Sequence, residues 1–437
     1  MLRRIGRGTV AGAAVCIGAC TAVAGLAACA GRASDARPVS ADAADAVSAG
    51  KSASGPARPF GAHAFEYAAG TIRPSGSKAA VDKAVLAVYQ QWKKSFVQNR
   101  CGNGWYQVHS PDADHPYVAE AQGYGMVITA LMAGADADAK KIFDGLVKYV
   151  LAHPSANNRD LLAAEQDANC KSVDGSDSAT DGDMDVAYGL LLADRQWGSS
   201  GAYDYKQLAV KHINAIKKSE TNPATHLLLL GDWSDASESH YWTSRSSDWM
   251  PDHFRAFRKA TGDASWDTIR AAHQKVVADL QNRYASRTGL LPDFVVDTKT
   301  APKPASGEVL EGPHDGDYSW NACRDPWRLG TDALTSGDAA SLASARKLNS
   351  WIRTATGDDP EKVYTGYKLS GSAFDKGHDM AFTAPFAVAA ATDPGSRAWL
   401  DALWKKLAGT PVDPGLYYGA SVQLQSMIVV SGNYWTP

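Results

Sequence analysis

Neither sign of charge dominates this sequence. Its 437 residues contain 44 Lys and Arg against 47 Asp and Glu, so the formal net charge is −3 at pH 7. Without a basic excess there is no electrostatic reason to expect a nucleic-acid partner. The slight negative balance favours a neutral or weakly basic partner instead.

Long hydrophobic runs are also scarce. The exception is the Ala-rich stretch Val10–Ala28, which follows Arg3, Arg4 and Arg7. This run is too short and too rich in small residues for a typical membrane span, so it predicts a secretory signal peptide over residues 1–28. We therefore expect a secreted or extracellular protein.

The end of that stretch, Leu26-Ala27-Ala28-Cys29, looks like a bacterial lipobox. It would make Cys29 the lipidated first residue of the mature chain and anchor the protein to the membrane. A chance cysteine beside an ordinary cleavage site is the alternative.

Residues 29–74, rich in Ala, Ser, Asp and Arg up to about residue 58, are predicted to form a flexible tether. No Gly/Ser-rich or Pro-rich linker follows residue 80, so residues 75–437 are expected to form one large domain.

Cysteine is scarce as well, with six residues in the chain. If Cys29 is lipidated and the two cysteines upstream leave with the signal peptide, Cys101, Cys170 and Cys323 remain in the oxidising exterior. Three cysteines cannot all pair. Cys101 and Cys170 lie in loops rich in turn residues, whereas Cys323 has apolar and aromatic neighbours. We favour a Cys101–Cys170 disulfide with Cys323 buried, although the sequence does not fix the connectivity.

What the sequence has in abundance is helical periodicity of its apolar residues. It predicts twelve helices, at about 80–98, 119–134, 137–152, 182–196, 203–218, 248–260, 263–285, 325–335, 340–355, 378–391, 395–407 and 416–430. Paired helices of this kind can close into a double ring or stack into an open solenoid, and no fixed sequence repeat supports the solenoid. The longest connections are expected to carry the function: 99–118, 153–181, 219–247 and 286–324.

Two of the predicted helices begin with acidic residues. Residues 179–197, ATDGDMDVAYGLLLADRQW, place Asp181, Asp183 and Asp185 at the start of an apolar helix. Residues 119–126, AEAQGYGM, combine Glu120 with two glycines. Each glycine costs about 1 kcal/mol against alanine in a helix. We therefore expect a close packing contact or a ligand against this backbone.

Both stretches resemble motifs of glycoside hydrolase family 8, whose members cut β-1,4-linked glycans with inversion. The longer motif departs from the family pattern only mildly, at Val186 and Gly189. The resemblance implies an all-α (α/α)6 barrel of twelve helices with long catalytic loops at one end. It also implies that Glu120 is the general acid and Asp181 a catalytic-site residue that holds the substrate, and we assign Asp183 to substrate binding. For Glu120, a first-turn glutamate that complements the helix dipole is the alternative, worth about 0.3–1 kcal/mol.

Inversion needs a second carboxylate, about 6.5–9.5 Å from the acid, to activate water. One branch of the family has an aspartate at the start of a D-A-x-R segment, but this chain has Asn321, Ala322, Cys323 and Arg324 there, and an amide cannot accept the proton. A second branch, with asparagine at this point and a glutamate in an inserted segment upstream, is more similar. It implies that Glu311 is the base, with Glu308, Asp315 and Asp317 as rivals and a solvated turn as the bland alternative.

The remaining candidates concern substrate binding. Arg324 is expected to clamp Asp181 or Glu311, with ordinary helix-surface pairing as the alternative. Sugar rings stack on aromatic side chains, although core packing is the default role for any one tryptophan. The predicted substrate-binding set is Trp105, Tyr106, Asp183, Trp233, Trp249, Trp320, Asn321 and Arg324.

The sequence predicts neither a cofactor nor a metal. An EF-hand beginning at Asp181 would need Gly and Glu where Val186 and Leu192 stand, and the histidines lack zinc-ligand spacing. We therefore expect a secreted, monomeric, inverting endo-β-1,4-glycan hydrolase that acts on cellulose-type or mixed-linkage β-glucan. The alternatives are a chitosanase of the same family and an inactive, lipid-anchored glycan-binding protein.

Overall fold

The computed structural model describes residues 55–437. The predicted signal peptide, Cys29 and most of the predicted tether lie outside the described residues. Within the described range the helices are α1 (Lys78–Phe96), α2 (Ala119–Leu131), α3 (Ala139–Ala152), α4 (Thr180–Trp197), α5 (Tyr205–Ser219), α6 (Pro251–Thr261), α7 (Ser265–Arg283), α8 (Asp325–Ser336), α9 (Ala339–Thr356), α10 (Met380–Ala391), α11 (Arg397–Gly409) and α12 (Tyr417–Ser431). Each of them begins within about three residues of a predicted helix, so the twelve predicted elements are all found.

Short antiparallel strands lie in the loops between the helices. They are β1 (Val97–Gln98), β2 (Gln107–Val108), β3 (Tyr117–Val118), β4 (Glu165–Gln166), β5 (Ser244–Arg245), β6 (Phe294–Val296), β7 (Lys303–Pro304), β8 (Gly366–Tyr367) and β9 (Ala373–Asp375). β1 pairs with β2, β3 with β4, β5 with β6, β6 with β7, and β8 with β9. The strands therefore fix loop conformations and form no layer of their own.

The even-numbered helices form an inner ring. Each of α2, α4, α6, α8 and α10 packs on the next even-numbered helix, and α12 returns to pack on α2. The odd-numbered helices lie outside, because α3, α5, α7, α9 and α11 pack on the inner helices that precede them, and α1 packs on α12. The ring is closed, so the predicted (α/α)6 barrel is confirmed and the open solenoid is excluded.

Hydrophobic patterning explains which helices lie inside. Every residue of α12 is buried, and so is every residue of α10 after Met380. A helix that is apolar all round must be surrounded by protein. By contrast, α3 buries residues at helical spacing, among them Ile142, Leu146 and Val150, and exposes its opposite face. A one-sided helix of this kind suits the outer ring.

Glycines allow α2 and α4 to approach each other closely. A Cβ atom added at Gly182 would lie 2.6 Å from the Cβ of Ala119, and one added at Gly123 would lie 2.8 Å from the Cβ of Asp185. Real Cβ atoms cannot approach this closely, so a side chain at either position would force the helices apart. The close contact predicted for α2 is therefore a contact of Gly123 with α4, whereas Gly125 packs against Val108 and Leu146. The Gly123 contact sets the distance between the helix ends that carry Glu120 and Asp181.

The segment before α1 is part of the folded domain. Backbone N–H groups of Phe60, Ala68 and Ile72 donate to carbonyl groups at or just beyond the C-terminal ends of α2, α8 and α10, respectively. The Tyr67 hydroxyl donates to the carbonyl of Val429 near the end of α12. Residues 60–72 therefore cover one end of the barrel, and the predicted tether, which extends to residue 74, runs into the folded domain. Among the described residues, no helix is both long and apolar enough to cross a membrane.

Candidate active site

The N-terminal ends of the inner helices bring charged side chains together at one end of the barrel. Glu120 is the second residue of α2, and Asp181 is the second residue of α4. Arg324 ends a short 3-10 turn that leads into α8, and Tyr417 opens α12. Hydrogen bonds join all four side chains, although Glu120 and Tyr417 are 297 positions apart in the sequence.

Glu120 is a buried carboxyl group with two strong partners. The Arg324 guanidinium donates to one of its oxygens at 2.7 Å, and the Tyr417 hydroxyl donates to the other at 2.5 Å. Burial raises the pKa of Glu120, and the nearby Arg324 offsets only part of that rise. A carboxyl group with a raised pKa can keep a proton near neutral pH and deliver it, which is what a general acid must do.

Asp181 has the opposite electrostatic character. Its side chain is almost fully buried, which disfavours the charged form, but Arg245 and Arg324 outweigh that effect and hold its pKa well below the usual range. Arg324 donates to it at 2.9 Å, and Arg245 approaches within 3.7 Å. Asp181 is therefore a permanent negative charge beside a carboxyl group that can hold a proton.

Glu311 reaches the same place from a loop. The Asn321 side-chain amide donates to one of its oxygens at 2.8 Å, and Arg245 lies 3.6 Å from the other. Burial raises the pKa of Glu311, while Arg245 and the Asn321 hydrogen bond counteract the rise. Glu120 and Glu311 line the same two depressions of the surface.

The two glutamates are linked through other side chains. Arg324, which binds Glu120, also donates to the amide oxygen of Asn321 at 3.1 Å, while the amide nitrogen of Asn321 binds Glu311. Asn321 thus orients a carboxylate rather than replacing one. Because Asn321 and Arg324 stand between them, the two glutamates are held in one cleft through intervening side chains.

The rivals of Glu311 have other partners. Both carboxylate oxygens of Asp315 accept backbone N–H groups of the loop that carries Glu311. Asp317 binds His314 and Lys368, at 2.9 and 2.8 Å. Glu308 is exposed to solvent and lines neither depression. Of the four acidic side chains in this segment, Glu311 is the one in the depressions that hold Glu120.

Two of the predicted aromatic residues lie in the cleft. Trp320 lines one depression together with Tyr417 and Tyr418, and Trp233 lines the other together with Leu230 and Leu310. Glu120 and Glu311 line both depressions. A polymer that passes between these glutamates would therefore have an aromatic wall available in each part of the cleft.

None of the other three predicted aromatic residues lines these depressions, and the assignment of Trp249 to the substrate is wrong. Trp249 is 2% exposed, and its indole N–H donates to the hydroxyl of Ser244, so it is a core residue. Trp105 packs edge-on against the rings of Tyr149 and His153 beside the disulfide. Tyr106 packs against α3, where Gly145 leaves space for its ring.

Asp183 also fails as a substrate ligand, because it is completely buried behind the cleft. One of its oxygens accepts the N–H of Leu162 at 2.9 Å and lies 2.6 Å from a ring nitrogen of His212. Burial raises its pKa well above the usual range, and the nearby Glu220 carboxyl group, whose pKa burial also raises, can share a proton with it. Two residues after Asp181, the helix has turned this side chain away from the cleft.

Several cleft residues were not predicted. Arg245 contacts both Asp181 and Glu311, yet it follows no motif in the sequence. Asp112 and Asp379 line the depression that contains Trp320. The one available signal was positional, since Tyr417 and Glu120 both lie in the first turn of an inner helix, and the ends of alternate helices meet in a barrel.

The described cysteines agree with the favoured pairing. Cys101 and Cys170 form a disulfide, and Cys323 is a buried free thiol. The bond joins the loop after β1 to the loop after β4. It therefore braces the segment that leads to α2, and it lies next to Trp105 rather than beside the carboxylates.

One group among the described residues has the composition of a metal site. The ligand atoms of His115, Glu165 and Asp174 lie within 4.8 Å of one another. However, His115 and Asp174 are 2.7 Å apart, the distance of a hydrogen-bonded pair, whereas two ligands about 2.0–2.1 Å from one tetrahedral ion lie roughly 3.3 Å apart. The group is arranged as an ion pair, and the absence of a metal stays a prediction.

A closed double ring of helices with two glutamates in one cleft, an aspartate paired with arginine and aromatic side chains at the same end has the features of an (α/α)6-barrel glycoside hydrolase. The family model described as glycosyl hydrolases family 8 matches residues 75–432. The chain belongs to this family and is a glycoside hydrolase, so the inactive-protein alternative is set aside.

Individual relatives agree with this assignment. A β-glucanase of Niallia circulans is 44% identical over 87% of this chain and 92% of its own length. An endoglucanase of Bacillus sp. (strain KSM-330) is 35% identical over 84% of this chain and 80% of its own. A solved structure of the β-1,3-1,4-glucanase from Paenibacillus sp. X4 superposes with a TM-score of 0.84 at 44% identity, covering 87% of this chain and 100% of that one.

Proposed function

We propose that this glycoside hydrolase is an inverting endo-β-glucanase in which Glu120 is the general acid and Glu311 the general base. The observation that carries the proposal is a pair of glutamates in one cleft, Glu120 buried and Glu311 largely buried, linked through Asn321 and Arg324. Glu120 donates its proton to the glycosidic oxygen as the bond to the anomeric carbon breaks. Glu311 accepts a proton from the water that attacks the opposite face of the sugar.

Asp181 has a supporting part in this scheme. Its carboxylate remains ionised because Arg245 and Arg324 stabilise the charge. A fixed negative charge beside the acid can accept hydrogen bonds from the sugar at the cleavage point and stabilise the positive charge that develops on its ring. We assign Asp181 this holding role and leave proton transfer to the two glutamates.

The shape of the cleft supports internal cleavage of a polymer. The depression with Trp233 and the depression with Trp320 share both glutamates, so sugar units can bind in each part of the cleft. The second depression continues past Asp379 and Leu416 into an open groove along α10 and α12. An active site with open space beyond the scissile bond accepts the middle of a chain, which an endo-acting enzyme requires.

Mixed-linkage β-glucan is the first substrate to test, because the relatives at 44% identity are named as a β-glucanase and a β-1,3-1,4-glucanase. Cellulose-type glucan is the second, because the relative at 35% identity is named as an endoglucanase. The test is reducing-sugar release and viscosity loss on barley β-glucan, carboxymethylcellulose, xylan and chitosan in parallel. Rapid viscosity loss on a β-glucan supports the proposal, and release from xylan alone would contradict it.

Chitosan is a second candidate because of one feature of the cleft. Asp112, Glu120, Glu311 and Asp379 all line the depression with Trp320, and no Lys, Arg or His is among the described residues that line it. Protonated amino sugars would find negative charge there. Asp379→Asn is a suitable variant, since asparagine can still cap α10. It should lower chitosan hydrolysis while leaving β-glucan hydrolysis unchanged, whereas an equal effect on both would remove this candidate.

Export and lipidation are also proposals, supported by the three arginines, the apolar run and the Leu26–Cys29 motif of the sequence. Mass spectrometry of the mature N-terminus tests them. A lipid-modified Cys29 that is lost in Cys29→Ala supports the anchor. A free N-terminus at another residue would support a released protein instead.

A further inference from the structure

Asp315 is a buried carboxylate that accepts hydrogen bonds from backbone N–H groups of the loop that carries Glu311. One of its oxygens accepts the N–H groups of Val309, Leu310 and Glu311 at 2.8, 2.8 and 3.1 Å, and the other accepts the N–H group of Gly312 at 2.9 Å. Asp315 is 3% exposed, and among residues 55–437 no Lys, Arg or His side chain forms an ion pair with it. Four backbone dipoles therefore stabilise this charge.

The backbone around Asp315 is fixed as firmly as its side chain. The N–H group of Phe294 in β6 donates to the carbonyl of Asp315 at 2.8 Å. Next in sequence, Gly316 lies so close to the carbonyl oxygen of Ala305 that an added Cβ atom would be 1.9 Å from it. The carboxylate is thus mounted on the β6–β7 hairpin, and the loop of Glu311 is wrapped around it.

This arrangement sets the position from which the Glu311 side chain leaves the backbone. Glu311 lies on no helix or strand, so hydrogen bonds of the flanking peptides replace the rigidity that secondary structure gives Glu120. From this position its oxygens meet Asn321 and Arg245. A base displaced by about 1 Å can lose roughly 100-fold in rate.

We propose that Asp315 is the positioning residue of the catalytic base, holding the peptide of Glu311 so that its carboxylate faces the attacking water. The proposal deepens the proposed function and rests on Glu311 being the base. Asp315 itself exchanges no proton with the substrate, because both of its oxygens are occupied by the loop.

Asp315→Asn removes the charge of this side chain with little change in its shape, and it therefore tests whether Asp315 positions Glu311. An amide has one accepting oxygen and one donating nitrogen, so at least one of the four backbone N–H groups loses its acceptor, and the remaining bonds lose their charge assistance. We expect kcat on β-glucan to fall about 10- to 100-fold with KM changed less than about threefold.

The pH profile gives a readout that general loosening of the fold would not produce. The negative charge of Asp315 contributes to the raised pKa of Glu311. Its removal should move the acidic limb of the kcat/KM profile, which follows ionisation of the base, to lower pH. The basic limb, which follows Glu120, should stay in place.

Asp317→Asn is the matched control. Asp317 lies two residues away, and its carboxylate binds the side chains of His314 and Lys368 instead of the backbone N–H groups around Glu311. Its kcat should remain within about twofold of the parent. Oligosaccharide binding by Asp315→Asn should match the parent, whereas its thermal midpoint should fall, because a buried backbone N–H group loses its acceptor. A kcat within twofold of the parent for Asp315→Asn, or a loss of oligosaccharide binding as large as the loss of kcat, would overturn the proposal.

Glu311→Gln separates failure of this inference from failure of the proposed function. An inactive Glu311→Gln beside a fully active Asp315→Asn would remove the positioning role of Asp315 and leave the base assignment intact. A fully active Glu311→Gln would remove the base assignment, and with it the proposal for Asp315.

Discussion

The two sides of the cleft hold their glutamates by different means. Glu120 lies in the first turn of an inner helix whose packing against α4 is set by glycines. Glu311 lies in a loop, where four peptide N–H groups converge on one buried aspartate. The proposed acid therefore takes its position from the barrel, whereas the proposed base depends on a loop whose backbone N–H groups bind one buried aspartate.

This difference means that the two glutamates are not equally easy to move. Moving Glu120 would require a shift of α2, which contacts α3, α4 and α12. A base loop can be rebuilt without disturbing the ring. In this chain Asn321, at the start of the turn before α8, is left to orient a carboxylate that the loop supplies.

The largest predicted effect separates the two sides by chemistry. Glu120→Gln and Glu311→Gln should each lower the rate on β-glucan by about 10²- to 10⁴-fold, the usual contribution of general acid or base catalysis. A dinitrophenyl β-cello-oligoside needs no proton for its leaving group, so it should restore most of the rate of Glu120→Gln and little of that of Glu311→Gln. Steady-state kinetics on both substrates make the comparison.

The same substrates provide the control. Parent enzyme should hydrolyse both, and circular dichroism should match for all three proteins. If the activated substrate rescues Glu311→Gln and not Glu120→Gln, the two roles must be exchanged.

The next effect tests the arginine between the two sides. Arg324→Lys keeps a positive charge but cannot reach Glu120, Asp181 and Asn321 together. Each lost charge-assisted hydrogen bond is worth about 1.5–3 kcal/mol. We expect kcat/KM to fall about 10- to 100-fold on β-glucan.

Arg328 is the matched control one turn deeper, where it binds Asp185 at 2.6 Å. Arg328→Lys should lower the free energy of unfolding and leave kcat within about twofold, because Asp185 does not line the depressions that hold both glutamates. Urea unfolding and kinetics on both variants decide the point. Equal losses of activity in Arg324→Lys and Arg328→Lys would show that the hydrogen bonds of Arg324 in the cleft have no specific effect on activity.

A smaller effect concerns the tyrosine that binds the acid. Tyr417→Phe removes the donor at 2.5 Å from Glu120, and that hydrogen bond lowers the pKa of the acid. The basic limb of the kcat/KM profile should move to higher pH, while the optimum rate falls about 2- to 10-fold, as for the loss of about 0.5–1.5 kcal/mol. An unmoved basic limb would mean that Tyr417 does not act through Glu120.

The smallest predicted effect on activity comes from the buried pair behind the cleft. Burial raises the pKa of Glu220 and of the facing Asp183 well above the usual range. Groups with raised folded-state pKa values stabilise the fold at low pH, and that contribution is lost as pH rises through the folded pKa. Glu220→Gln supplies a permanent N–H donor, so its thermal midpoint should fall less than that of the parent from neutral to alkaline pH.

Activity of Glu220→Gln at the optimum pH should match the parent, because Asp183 has no place in the cleft. Parallel pH dependences of the thermal midpoint for both proteins would count against a shared proton. A large loss of glycan binding would instead restore the original assignment of Asp183 to the substrate.

The sequence was informative where the answer depends on helical periodicity. Apolar spacing located the helices, and the acidic residues at the starts of α2 and α4 could be connected because alternate helix ends meet in a closed barrel. Glu311 needed the family resemblance, since nothing in the spacing of Glu308, Glu311, Asp315 and Asp317 tells which of them faces the cleft.

The aromatic residues show where such reasoning stops. Trp249 and Trp320 both precede helices, yet the Trp249 indole turns inward to a hydroxyl of β5, and Trp320 lines the cleft. Their direction depends on loop conformations that local sequence does not encode. Arg245 was missed for the same reason, since a two-residue strand aims it at Asp181 and Glu311.

The proposed pairing of Glu120 and Glu311 requires Glu311 to activate a water molecule instead of attacking the sugar itself. Proton NMR of the first product formed from mixed-linkage β-glucan, recorded before mutarotation, distinguishes these two mechanisms. We expect the new reducing end to appear as the α-anomer and to convert to the β-anomer later. A β-anomer that appears first would mean retention, and it would exclude Glu120 and Glu311 as an inverting acid and base.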